Sequence, residues 1–356
     1  MERDRANLEQ AHTLADALGD DAHLAQVLYW LGRLCYVRGV NQTAIAYAEQ
    51  SLALADRLDD DALSAPPVNL MGRVYFLLSD YPKASQLLAR SVAQMQRLGN
   101  TTDEATAAGF ASLAFAFAGE FELAFAHADH GIRLSQDIQN PFAEAAAYQY
   151  RGMLHEQRGA WAQALMDCEE GQRIGERVGD LFRIYTLKTV QGRVYTLAGD
   201  PVRGRVLLEE AAVLAGQLGT NFWLAWRTSY LAACLLALGE IEAVPRLCDE
   251  AIRMAEEVSD QYPKALAQRT LAEALFVLDP GDPQPAERAM LEAIRLQQAI
   301  GGKPELARSF LSYARMLQAQ GEGDKTQAYL TQARSRAEML STTADWPVRQ
   351  SNTSTR

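Results

Sequence analysis

Few side chains in this sequence stand at spacings that support bond-making chemistry. His127 and His130 lie three apart on one helical face; with Asp129 they would hold a metal only if a third group came from elsewhere. Two exposed histidines are the plainer reading. His155-Glu156 lacks the second histidine of a zinc-protease helix, and Gly301-Gly302-Lys303-Pro304 lacks both the spacing and the Ser or Thr of a phosphate loop. The chain has five histidines, none paired with a nucleophile, so neither catalysis nor a metal or cofactor site is expected.

Recognition is what remains. Arg33 and Arg73 stand forty residues apart, each beside polar and aromatic residues: Tyr29, Tyr36, Asn69 and Phe76. A guanidinium offers paired donors to a carboxylate and the rings add contact area, so the set suits an acidic peptide. The competing reading is that these arginines pair with acidic neighbours. A second cluster, Phe222, Trp223, Trp226 and Tyr230, is flanked by Arg193 and Arg269; part of it must be core, and Trp226 is the expected anchor.

These groups must be positioned by something, and the register of small residues says what. Gly32, Gly72, Ser112, Gly152, Gly192, Ala232 and Ala272 recur every forty positions, followed by Ala314 after forty-two. A second series, from Gly39 and Ser79 to Gly321, runs seven behind, and a third, from Ala44, Ala84, Ala124 and Ala164 onward, twelve behind. Such a period marks a stacked repeat. Between the first two series the apolar spacing is helical, as in Leu28, Leu31, Gly32 and Cys35; a second amphipathic helix carries the later small positions. Each unit is a helical hairpin whose small residues let helices approach closely. Units end in an apolar residue, a glycine and a capping side chain, as in Leu18-Gly19-Asp20, Leu98-Gly99-Asn100 and Leu218-Gly219-Thr220. Pro245, inside an expected second helix, predicts a kink or a late start near Val244, and Asp279 to Pro285 predicts a lengthened turn.

Leu31-Gly32 with Cys35, Gly39 and Ala44, repeated as Gly72, Tyr75, Tyr81 and Ala84 and as Gly192, Tyr195 and Gly199, resembles the tetratricopeptide repeat over roughly residues 1 to 340. The forty-residue form is similar to the C-terminal repeat arrays of bacterial signalling ATPases, cyclases and transcriptional regulators. The resemblance implies an all-α, right-handed solenoid. On this reading residues 1–20 form a single helix that caps the array or ends a preceding repeat, 21–340 form eight hairpins, and 341–356 form a disordered tail.

The resemblance also implies that a stripe on each first helix lines a concave groove. Tyr29, Arg33 and Tyr36, then Asn69, Arg73 and Phe76, then Arg193, Trp226 and Arg269 fall on it, and its only carboxylates are Glu156 and Glu273. The expected function is a scaffold binding a protein or peptide in that groove, as the sensor or docking arm of a bacterial signalling protein. A small-molecule-sensing domain and a self-associating scaffold are the alternatives, the latter using the sixth-hairpin aromatics as a homodimer contact. Units touching only their neighbours would make stability a sum of local terms.

Composition narrows the partner. Forty-five acidic against 34 basic residues give a net charge of −11, with no basic stripe for nucleic acid. No apolar run is long enough to span a bilayer. Cys35, Cys168, Cys234 and Cys248 sit at packing positions and read as reduced thiols of a cytoplasmic chain.

Overall fold

In the computed structural model, residues 2–339 are described, and they contain seventeen α-helices and no strand. The tail expected from 341 onward lies outside the described residues. A first helix, α1 (Glu2–Leu18), is followed by antiparallel pairs: α2 (Asp21–Val37) with α3 (Asn41–Leu58), α4 (Asp61–Leu77) with α5 (Tyr81–Leu98), and α6 (Thr101–Phe117) with α7 (Phe121–Asp137). Next come α8 (Pro141–Arg158) with α9 (Trp161–Val178), and α10 (Leu181–Leu197) with α11 (Pro201–Leu218). The last three pairs are α12 (Leu224–Leu238) with α13 (Val244–Glu257), α14 (Gln261–Leu278) with α15 (Gln284–Ala299), and α16 (Lys303–Ala319) with α17 (Gly323–Met339). The architecture is an α-solenoid. Among the described residues no helix is long and apolar enough to cross a membrane.

The small residues stand where helices touch. A Cβ on Gly152 would come within 2.7 Å of Cys168 Sγ and 3.2 Å of the Ala164 carbonyl; on Gly192 it would meet Leu208 Cγ at 2.6 Å. Ala44, Ala84, Ala124 and Ala164 have no exposed surface. Hairpins are separated by caps that recur with the same period. Asp20, Asp60, Asn100, Asn140 and Asp180 each accept from a backbone N–H in the first turn of the following helix. Gly99, in the left-handed conformation at φ 66°, closes α5.

Two local departures have causes in the sequence. Pro245 enters at the second position of α13, which starts at Val244 after a 3-10 turn over Ile241–Ala243; there the missing N–H has no helical partner to lose. The cap at Thr220 fails to start α12 directly. Thr220 Oγ1 accepts from Phe222 N at 3.1 Å, Trp223 turns left-handed at φ 58°, and the helix begins only at Leu224. Phe222 and Trp223 therefore precede the helix.

The larger departure is global. The solenoid curls until its two halves touch across the concave side. The cap residue Asp260, ahead of α14, accepts from Ser79 Oγ at 2.8 Å, and Ser79 Oγ in turn accepts from Tyr262 N at 3.0 Å. Asn41 Nδ2 donates to the Val258 carbonyl at 3.3 Å. Purely nearest-neighbour contact is thus corrected: an aromatic cluster spans the axis, with Phe117 against Tyr81 (5.1 Å between ring centres), Tyr262 (4.9 Å) and Trp226 (5.8 Å). Such pairs each contribute about 0.5–1.5 kcal/mol beyond their burial.

Candidate functional site

The concave face divides into an enclosed part and an open part. The enclosed part lies where α8, α10, α14 and α16 converge. Glu305, in the first turn of α16, accepts from Arg193 Nη2 at 2.5 Å and Arg269 Nη1 at 2.6 Å, and also pairs with Arg308. Glu156, near the end of α8, accepts from Arg193 Nε at 2.9 Å and Arg308 Nη1 at 3.1 Å. Three guanidinium groups thus face two carboxylates, and both carboxylates are buried. Ion pairs this enclosed are held by mutual satisfaction, and removing one member strands the rest.

Beside them Trp226 Nε1 donates to Asp260 Oδ2 at 2.6 Å. Burial pushes the Asp260 carboxyl up to about 6, against the downward pull of its bonds from Trp226, Ser79 and Tyr262 N. Three expected groove residues are therefore enclosed. Arg193 is 5% and Trp226 2% exposed, both inside the closure, and Arg269 is spent on Glu305. Phe76 is likewise core, 2% exposed, packed on Tyr81 and Phe117. The reason is the curl: residues that would line an open groove meet the opposite wall.

The open part is built by α2, α4, α6, α8 and α10. Arg33 is exposed, its guanidinium 5.3 Å from the Trp30 ring and its Nη1 donating weakly to Tyr29 Oη at 3.4 Å. Arg73 does not stand free in solvent. Its guanidinium lies between the rings of Tyr36 (4.9 Å) and Phe110 (4.5 Å), with Nη2 donating to Tyr36 Oη at 3.3 Å. Asn69 is tied back across its hairpin to Ser91 Oγ at 3.2 Å. Phe110 packs on Tyr150 at 5.3 Å, and Arg183 stands 5.7 Å from the Tyr150 ring. Along successive first helices two guanidinium groups, Arg73 and Arg183, flank the adjoining rings of Phe110 and Tyr150.

This ladder carries charge without a counter-charge. Among the described residues Arg33, Arg73 and Arg183 pair with no carboxylate; tyrosine hydroxyls, Gln149 and ring faces are their partners. The reading in which Arg33 and Arg73 are neutralised by acidic neighbours is thereby set aside. Cation–π contact supports each guanidinium by about 0.5–2 kcal/mol but does not cancel its charge. The Nε atoms of Arg73 and Arg183 and Nε2 of Gln149 are buried with no acceptor, a cost of about 1–3 kcal/mol each.

Phe110, Tyr150 and Arg183 were not on the predicted stripe. The rings occupy the register of Trp30 and Leu70, one position beyond that of Tyr29 and Asn69, so a series read as Trp30, Leu70, Phe110, Tyr150 would have shown them. The histidines are placed differently from expectation too. His130 Nε2 lies 2.7 Å from Glu104 Oε1, and His127 stacks on Phe115 at 5.4 Å, where burial lowers its pKa; both are half-buried.

No protein-family model matches the sequence, and no curated protein matches it. Solved structures do match in fold. The Rap conjugation gene regulator of plasmid pLS20, solved in complex with a Phr peptide, shares 12% identity at TM-score 0.65, over 94% of each chain. The apo quorum sensor NprR from B. thuringiensis shares 14% at 0.58, again over 94% of each. A signal transduction ATPase with a tetratricopeptide repeat sensor, from Pyrococcus horikoshii, shares 13% at 0.51; 90% of this chain covers 49% of that one. The fold is that of the tetratricopeptide-type helical repeat proteins, similar to the repeat arrays of signalling proteins.

Proposed function

We propose that this chain is a peptide-binding scaffold whose concave ladder takes an acidic segment of a peptide or protein partner, and that it acts as the sensor or docking arm of a bacterial signalling system. The observation that carries the reading is the pair Arg33 and Arg73: two guanidinium groups on neighbouring hairpins, set among rings and without carboxylate partners among the described residues. A site rich in unpaired donors favours ligands that bring acceptors, and its like charge rejects basic ones. The similarity in fold to a Rap regulator solved with a peptide supports the class of ligand. Recognition on this reading makes and breaks no bond. The buried free thiols Cys168, Cys234 and Cys248 support a reducing, cytoplasmic setting.

The test is fluorescence anisotropy with two capped decapeptide libraries, one enriched in Asp and Glu and the other in Lys. Wild type should bind the acidic library, with affinity falling as salt screens the attraction over about 8 Å at physiological ionic strength. Arg33→Glu and Arg73→Met should each weaken it, Met being chosen to keep the packing between Tyr36 and Phe110. Equal binding of both libraries, or full binding by both variants, would overturn the proposal.

A further inference from the structure

We infer that the ladder reads two acidic residues at once, Arg73 holding the first and Arg183, itself held by Gln149, the second, on an extended segment in which they stand four residues apart. This rests on the acidic-peptide reading above and specifies it. The two ends are built alike. Arg73 on α4 leans on Phe110, and Arg183 on α10 leans on Tyr150. At the far end Gln149 is wholly buried and polarised in one direction. Its Oε1 accepts from Arg183 Nη1 at 2.5 Å and from Thr186 Oγ1 at 2.9 Å, which leaves Nε2 as a donor with no acceptor. Both arginine Nε atoms are in the same condition. Those nitrogens are closed off from solvent and hold the side chains in place; what each end offers is a guanidinium charge that no carboxylate cancels, which an oxyanion would neutralise.

Between them lies a fixed platform. A Cβ on Gly109 would stand 2.7 Å from Tyr150 Cδ2, so the absence of a side chain there seats the Tyr150 ring beside Phe110. The steps from Arg73 to Phe110, to Tyr150 and to Arg183 are 4.5, 5.3 and 5.7 Å. The two guanidinium carbons are thus at most about 16 Å apart. An extended chain rises about 3.3 Å per residue and turns alternate side chains to one face, so positions i and i+4, about 13 Å apart, are the widest same-face pair that this ceiling admits. The residue midway between them lies over the rings. Adjacent acidic residues point to opposite faces and reach only one end.

The experiment titrates the whole chain with three labelled, acetylated and amidated nonapeptides of Ser and Ala: one with glutamates at i and i+4, one with glutamates at i and i+1, and one with a single glutamate. The i,i+4 peptide should bind about tenfold tighter than the i,i+1 peptide. Arg183→Gln should lower the i,i+4 peptide to the level of the single-glutamate peptide in the same variant, since Arg73 alone then holds both. Gly109→Ala, which displaces Tyr150 without touching either charge, should narrow the gap between the two spacings. Equal affinity for the two spacings, or no loss in Arg183→Gln, overturns two-point recognition while the acidic-peptide reading stands. Absence of binding by every acidic peptide overturns both.

Discussion

Glu305→Gln tests whether the curl is sealed. The substitution keeps the side chain's shape and removes one charge from a cluster in which Arg193, Arg269 and Arg308 face Glu156 and Glu305. Arg193 and Arg308 retain Glu156, but Arg269 is left with no carboxylate, only neutral acceptors such as the residue's backbone carbonyl at 3.4 Å. At an effective dielectric of about 20 each contact at 4 Å is worth about 4 kcal/mol, and the carboxylate's own desolvation offsets several kcal/mol of the three lost. A net loss of about 3–5 kcal/mol follows, the usual result of breaking a buried pair from one side. Urea unfolding followed by circular dichroism reads it directly. Glu292→Gln is the control: its pair with Arg295 lies on the outer surface and is worth at most about 1 kcal/mol. Adding Arg269→Met to Glu305→Met should recover part of the loss, because the stranded guanidinium goes with its partner. A Glu305→Gln protein within about 1 kcal/mol of wild type would mean that water reaches the cluster, and the closure across the axis would be wrong.

Two further outcomes follow from the packing and the buried carboxylate. Ala124→Leu should destabilise by about 1–3 kcal/mol, since Ala124 has no exposed surface, while Arg97→Leu, which breaks an exposed pair with Asp61, should cost at most about 1 kcal/mol in the same urea assay. Burial raises Asp260 from 3.8 to about 6, so the folded chain holds that proton longer than the unfolded one. This contribution to stability is present in full below about pH 4 and is lost as pH rises to about 6, by up to about 3 kcal/mol. Glu305 has the opposite sign: burial raises its pKa, but Arg308, Arg269 and Arg193 more than reverse this, so its contribution is lost only in acid. Subtracting the Asp260→Asn stability profile from that of wild type between pH 4 and 8 isolates the first effect, and a flat difference would place Asp260 in water.

The hairpins were legible because their cause is local. Gly152 and Gly192 exclude a Cβ at contacts within one hairpin, and Asp20, Asn100 and Asp180 cap helices within three residues. Arg33 and Arg73 were legible as equivalent positions in adjacent copies. Phe110 and Tyr150 were not, because a one-residue step on a helix turns a side chain by about 100° onto a neighbouring stripe. The closure was hidden for another reason. Ser79 and Asp260 are 181 positions apart, Arg193 and Glu305 are 112 apart, and a repeat register carries no information on how far the stack curls. The one trace was Glu156, a carboxylate on a stripe otherwise nearly free of them.

The arginines of the concave face divide by the environment that each must satisfy. Arg193 and Arg308 sit where the halves meet and water is excluded, and an unpaired guanidinium there would cost several kcal/mol, so the chain supplies Glu156 and Glu305. Arg33, Arg73 and Arg183 lie on the open stretch, where ring faces and partial hydration support the charge without consuming it. Their attraction is available to an incoming carboxylate, which meets Arg73 and Arg183 already held in place by ring faces and by Gln149. Closure and recognition therefore rest on different residues of one face. Loss of charge at Glu305 should be read in the unfolding midpoint, and loss of charge at Arg183 in peptide affinity.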